Sequence, residues 1–572
     1  MRSRRIARTG PAAALLAFPA FLAAGCSATE ADVADRADVV FRGGPVWTAG
    51  ASGGPGPTAR ALAVRDGRIV AVGGEADVQG LIGPSTEVVE LDGRALLPGF
   101  VDAHTHFLVG GFKLAGVQLR DAATPDDFAA RIGAFAREAG AGEWITGGDW
   151  DHEAWGGELP RREWIDSLTA ENPVFVNRLD GHMALANTRA LEAAGVDAGG
   201  ATTPDPDGGT IVRDPDTGEA TGVLKDAAMG LVGAVVPEPT EAERDRALRA
   251  AAAHALSLGV TQVHDMGSWR ELDTYRRARD AGELPLRVYS VVPIATWRRL
   301  RDLVEAEGRG DRRLWWGGLK GFVDGSLGST TAWFYEPYDD QPETSGLMTT
   351  DTASLRSWIL DADAAGLHVI VHAIGDRAND WLLDVYEDVV RRNGRRDRRL
   401  RVEHAQHLSP GAVGRFARQD VIPSMQPYHA ADDGRWAEKR IGADRIRTTY
   451  AFRSLLDAGA RLAFGSDWTV APIDPLAGLD AAVTRRTLDG ANPDGWVPEQ
   501  KIGLEEALTA YTLGAAYAGF AEDDTGVLWP GALADLVVLS GDPFAAGPAD
   551  ISSFEVDRTY VEGREAFRRE GR

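Results

Sequence analysis

Two hydrophobic rhythms divide this chain. In 37–50, 59–74 and 87–100 apolar and polar residues alternate between Gly and Asp turns, which predicts short strands of a small β-domain. The same rhythm returns in 531–539 and 558–563, so the two chain ends are expected to build one β-sandwich, from 38–98 and 521–572. The Gly/Pro run at 53–57 reads as a hairpin connection. It lacks the Lys-Ser/Thr pair of a phosphate loop.

Between the ends the rhythm changes to short apolar runs, mostly followed by helical patterns. Eight runs stand out, at 99–104, 261–265, 286–292, 318–324, 367–373, 400–405, 421–427 and 461–467. Strands buried on both faces, alternating with helices, predict an α/β fold built as a (β/α)₈ TIM barrel over 99–520. The gap of some 155 residues after the first run is too long for one crossover. An insertion over about 107–250 is expected there, covering the mouth of the barrel.

Composition adds two constraints. A net charge of −24 argues against a nucleic-acid partner, because phosphate binding needs a basic face. The first 25 residues carry Arg2, Arg4, Arg5 and Arg8, then an apolar stretch too short to span a bilayer, then Leu22-Ala23-Ala24-Gly25-Cys26. This resembles a bacterial lipoprotein signal with Cys26 as the lipid-bearing residue, although Ala23 stands where leucine is commoner. The expectation is a signal peptide at 1–25, a tether at 26–37, and a bacterial cell-envelope location with membrane contact only through the lipid. Removing 1–25, with its four arginines and no acids, takes the charge from −24 to −28. Cys26 is the only cysteine, so any metal must be held by His, Asp, Glu or a modified residue.

Candidate chemistry gathers where the barrel strands end. The first closes on His104-Thr105-His106, whose alternate positions point the same way. His372 closes the fifth, His404 the sixth and Asp467 the eighth. Each has a structural explanation taken alone; together they mark the catalytic end of a barrel. Lys320 is one of only five lysines against 56 arginines, yet it lies inside an apolar strand. A buried ammonium is costly unless paired, for example with Asp324, or converted by CO₂ into a carbamate.

The stretches LLPGFVDAHTHF (96–107), LDGHMALAN (179–187), LKGFVDGSLGSTTAWF (319–334), VHAIGDRAND (371–380), VEHAQHL (402–408) and FGSDWTV (464–470) resemble the amidohydrolase superfamily. Within it the resemblance is to amidohydrolase family 3, the group of N-substituted formamide deformylase-like proteins. That resemblance implies one or two divalent ions, zinc being favoured. His104, His106 and Asp467 would hold the more buried ion, and carboxylated Lys320 would bridge to a second on His372 and His404. Asp467 would serve as general base and then acid in hydrolysis of a non-peptide C–N bond. The alternatives are a cyclic-amide or deaminase-type hydrolase, and a catalytically silent envelope binding protein on the same scaffold.

His182, His264, Asp376, Arg377, Trp333 and Tyr428 are expected near a small-molecule amide substrate, each with packing or a surface ion pair as the plainer explanation. Phe334 and Tyr335 share the apolar pocket reading of Trp333. His407 reads as a supporting or surface group, and His152, His254, His368 and His429 as non-ligands. An oligomer is compatible with all of this.

Overall fold

The computed structural model describes residues 36–49, 59–178, 183–199, 203–206, 209–226, 228–328 and 330–570. The expected signal peptide and Cys26 lie outside the described residues. Among those described, no helix is long and apolar enough to cross a membrane.

Eight parallel strands form the barrel: β1 (Phe100–Thr105), β2 (Val260–Met266), β3 (Arg287–Pro293), β4 (Leu314–Phe322), β5 (His368–Ala373), β6 (Arg401–His404), β7 (Ile422–Met425) and β8 (Ala463–Phe464). They pair in chain order. Their Val, Ile and Leu side chains are buried on both faces, as parallel strands under a helical coat require. Helices such as Trp269–Asp280, Trp297–Glu307 and Asp376–Asn393 supply that coat. The first of them starts at a Ser268/Glu271 capping box.

Six strands lie within one or two residues of the expected bounds; β4 and β8 depart further. β4 starts four residues early, because Leu314, Trp315 and Trp316 already pair with Val288, Tyr289 and Ser290 of β3. β8 is only two residues long. The chain leaves the ladder after Phe464 and crosses to β1, where Ser466 N–H donates to Asp102 (2.9 Å) and Asp467 N–H to the His104 carbonyl (2.7 Å). This seam nearly closes the barrel. It requires Gly465, since a Cβ there would meet His104 N at 2.5 Å and Asp102 Oδ1 at 2.7 Å.

The chain ends meet in one sheet ordered Arg564–Arg568, Val556–Val561, Leu536–Leu539, Leu96–Pro98, Val39–Val46, Ala59–Arg65, Arg68–Gly73, with Glu87–Glu90 branching from Val39–Val46. Phe41 packs edge-on against Tyr560 at 5.0 Å although two strands separate them in the sheet, so the sheet curls back on itself into two layers. A third sheet, with strands from Val117–Gln118 to Ala220–Asp226, stands between β1 and β2 in the chain and has its own core around Phe128, Trp150 and Val176. Helices Phe107–Ala115 and Glu241–Ser257 join it to the barrel and pack closely on each other. A Cβ on Gly111 would lie 2.1 Å from the Ala247 carbonyl.

Barrel and sandwich are locked by one buried ion pair. Arg287 of β3 donates to both Asp535 oxygens (2.6 and 3.0 Å) and to Glu562 (3.0 Å). Removing one partner of such a pair strands a buried charge. Asp535→Ala is therefore expected to cost about 3–5 kcal/mol in urea unfolding. A loss of well under about 1 kcal/mol, the level of an exposed pair, would contradict this.

Candidate metal centre

At the C-terminal end of the barrel the strands bring six side chains together. One donor atom each from His104, His404 and Asp467 lies within 4.8 Å of the others. Asp467 Oδ1 is 3.5 Å from His104 Nε2 and 3.4 Å from His106 Nε2. Lys320 Nζ is 3.3 Å from His104 Nε2, and the His372 and His404 rings are 4.5 Å apart. His106 falls just past β1, at the N-cap of the helix Phe107–Ala115, and remains the most exposed of the set.

Three of the imidazoles are oriented by a partner behind them. His104 Nδ1–H donates to Glu403 (2.5 Å), His404 Nδ1–H to Gln426 Oε1 (2.8 Å), and His372 Nε2–H to the Gly325 carbonyl (2.9 Å). Each bond fixes one tautomer and leaves the opposite nitrogen with a free lone pair. Glu403 is itself clamped by Arg401 (2.8 and 3.1 Å) and Ser424 (2.9 Å). Arg401 also donates to the Ala103 carbonyl (2.6 Å), tying β6 to β1. The backbone is bent to place these groups: φ is +72° at His404, +43° at Ala405 and +58° at Asp467, the left-handed region that non-glycine residues enter at a cost.

Burial sets the protonation states. It lowers His104 to about 4 and His372 to about 3, helped in both cases by the Lys320 charge, and holds His404 well below its ordinary value. The rings are neutral at pH 7, as metal ligation requires. Burial pushes the Asp467 carboxyl up, but His104 and the hydrogen bond from His106 outweigh it and keep the group ionised. Burial brings the Lys320 ammonium from 10.5 down to about 8. Among the described residues Lys320 forms no ion pair. The Asp324 pairing entertained above does not occur: the Asp324 carboxylate accepts instead from the N–H groups of Trp333 (2.8 Å), Ile374 (3.0 Å) and Gly375 (2.8 Å). Neutral imidazoles with inward lone pairs beside an ionised carboxylate suit a divalent cation.

The other candidates divide. His182 lies outside the described residues. His264 is fully buried, its ring nitrogens 3.0 Å from Arg401 and 3.2 Å from Gln262. Asp376 accepts from Tyr335 N–H (3.0 Å), and Arg377 stacks on Trp333 at 4.4 Å, so these three order the loop after β4. Phe334 is core, packed on Tyr338. Tyr428 is half-buried, while its neighbour His429, set aside above, lies parallel to His404 at 6.5 Å. His407 is buried on Thr449 (2.8 Å), and His368 is held by Tyr289 and the Arg399 carbonyl. A cavity of about 440 Å³ opens beside His372, lined by Phe322, Asp324, Gly325 and Thr349.

Sequence reasoning passed over Arg401, Glu403 and Gln426. One signal was present: two charges spaced by one residue inside the apolar run 400–405, which face the barrel interior together.

The model of the Amidohydrolase family matches residues 87–567. The chain is 43% identical to "Protein LONG AFTER FAR-RED 3" of Arabidopsis thaliana, over 93% of this chain and 92% of that protein. It is 31% identical to the N-substituted formamide deformylase of Arthrobacter pascens, over 90% and 96%. Its fold matches an uncharacterized metal-dependent hydrolase from Pyrococcus horikoshii OT3 with a TM-score of 0.74 and 29% identity, covering 89% of this chain and 99% of that one.

Glu403→Gln removes the anion behind His104 while keeping its size. Zinc affinity, measured by competition with a chromogenic chelator, is expected to fall about 10–100-fold. Unchanged affinity in a folded variant would show that Glu403 does not tune the centre.

Proposed function

The chain belongs to the amidohydrolase family, and from that premise we propose that it hydrolyses the C–N bond of a small N-acyl or N-formyl amide at the centre formed by His104, His404 and Asp467. The observation that carries this reading is the convergence of those donors, with the second nitrogen of each of the two imidazoles committed behind it.

His104, His106 and Asp467 would hold one divalent ion, with zinc favoured by the His/Asp donors, and His372 and His404 a second. When bound, such an ion supplies Lewis acidity and lets water ionise near neutral pH. The protein does the rest. Asp467, kept ionised by its neighbours, takes the proton of the attacking water and returns it to the leaving nitrogen. The loop ordered by Asp324, Trp333 and Arg377 shapes the wall next to His372. Lys320 would add an anionic ligand to this donor set as a carbamate. Its neutral amine attacks CO₂, a C–N bond forms, one proton leaves the nitrogen, and a carbamate with two ligating oxygens results. The lowered basicity of the amine makes this accessible near pH 8.

The second reading, a non-catalytic binding protein, draws on the Arabidopsis relative, whose name states no reaction. The same proposal places the chain at a bacterial envelope through a lipid on Cys26, on the strength of the run before that cysteine.

Metal analysis followed by a panel of N-formyl, N-acyl and cyclic amides separates the readings. Turnover is expected to vanish on exhaustive chelation and return with zinc. Reloading in CO₂-free buffer should give less active enzyme than reloading with bicarbonate, and Lys320→Ala should lose at least about a hundredfold in kcat/KM whichever way it is reloaded. A rate that survives chelation sinks the mechanism. A stoichiometrically metallated chain with no turnover on the panel favours the binding protein.

A further inference from the structure

The barrel has a second opening, at the end where its strands begin. A cavity of about 250 Å³ lies there, lined by Trp315 at the start of β4 and by Phe520. Lys320 and the metal centre lie farther along the same strand, on the order of 15 Å away. The two places share no side chain.

One side of the cavity is aromatic. Tyr289 stacks on Trp315 at 5.5 Å and 18°, and the Trp315 indole N–H donates to the Gly519 carbonyl (2.9 Å). Next in the chain, Phe520 meets His368 edge-on at 5.1 Å, with the Arg399 guanidinium over its ring at 4.3 Å. Tyr289 and His368 are themselves joined by a hydrogen bond of 2.9 Å. The rings are thus fixed from behind, yet they reach water: Trp315 is half-buried and Phe520 is 45% exposed. Phe520 also sits at φ +61°, in the left-handed region, a costly conformation for a ring left in solvent.

The other side is cationic. Arg309 is exposed and, among the described residues, forms no ion pair; a hydrogen bond to the Gly366 carbonyl (2.7 Å) holds it at the cavity. Gly317, at φ +135°, makes room for it, because a Cβ there would collide with the guanidinium. Arg396 and Arg398 share a single carboxylate, Asp363 (2.6 and 2.9 Å). Asp397, the acid lining the cavity, is bonded to Arg399 (3.1 Å). Arg396 and Arg398 also line an adjoining cavity of about 920 Å³, where Arg395 and Arg418 form no ion pair among the described residues. In a chain of net charge −24, guanidinium groups without a counter-charge beside open aromatic rings describe a site whose anion comes from outside.

We propose that this cavity binds a small aromatic anion: a planar ring carrying a carboxylate, sulfonate or phosphate group. The ring lies against Trp315 and Phe520, and its anionic oxygens accept from Arg309 and Arg396, whose planar forks suit such oxygens. The site is independent of the amidohydrolase reading, since no side chain of the metal centre takes part.

The test is isothermal titration calorimetry of the purified full chain with 2-naphthalenesulfonate at fixed ionic strength, in wild type, Arg309→Gln, Arg309→Lys and Phe520→Ala. Saturable binding to wild type is expected. Methanesulfonate, the charge without the ring, and 2-naphthalenemethanol, the ring without the charge, should each bind at least about tenfold more weakly. Arg309→Gln and Phe520→Ala should each weaken sulfonate binding about tenfold, the effect of one lost charge-assisted hydrogen bond or one lost ring contact, and Arg309→Lys should recover part of the first loss. Zinc content is expected to match wild type throughout. Both side chains are exposed, circular dichroism reports whether each variant is folded, and either folded variant alone decides the question. No saturable binding to wild type, equal affinity for the neutral ring, or sulfonate binding that neither substitution weakens would overturn the proposal; the last result would put the probe elsewhere, the metal centre included.

Discussion

The structure depends on keeping charge out of water at the top of the barrel without leaving it uncompensated. Asp467, Glu403, Arg401 and Lys320 are all buried around the imidazoles. A group of this kind survives only if every charge has a partner and every polar atom a bond. Arg401 and Glu403 satisfy one another, and that pair fixes His104. Asp467 and Lys320 are different: their nearest polar neighbours are the imidazoles. A carboxylate and an amine facing inward-pointing lone pairs describe a coordination shell more naturally than a packed core.

The barrel supplies this geometry through its least regular parts. β8 ends after two residues, Gly465 lets the chain press onto β1, and Asp467 then adopts a left-handed backbone that turns its carboxylate toward His104 and His106. His404 pays the same conformational cost at the end of β6. Strain stored at these two residues is held by the seam hydrogen bonds and by the Arg401 link between β6 and β1. Among the described residues the sandwich supplies none of the clustered side chains, and Arg287 and Asp535 join it to the barrel.

The eight barrel strands and the six clustered side chains were legible because they obey simple rules: apolar runs of strand length, and ligand-type residues where those runs end. Lys320 stood out because lysine is scarce and the strand around it apolar. What sequence hid follows equally physical lines. Arg401 and Glu403 look like ordinary charges until the barrel interior is known to receive them. His264 sits on a barrel strand like the clustered residues, yet its ring is held by Arg401. The short β8 reflects φ at Asp467, which no hydrophobic pattern reports.

The central claim is that these side chains surround a metal ion, and anomalous scattering at the zinc edge from crystals of the zinc-loaded chain tests it most directly. The account predicts a strong peak inside the cluster, about 2.0–2.2 Å from His104, His106 and Asp467. Full zinc loading with density anywhere else, or a cluster filled by side-chain packing alone, would contradict it.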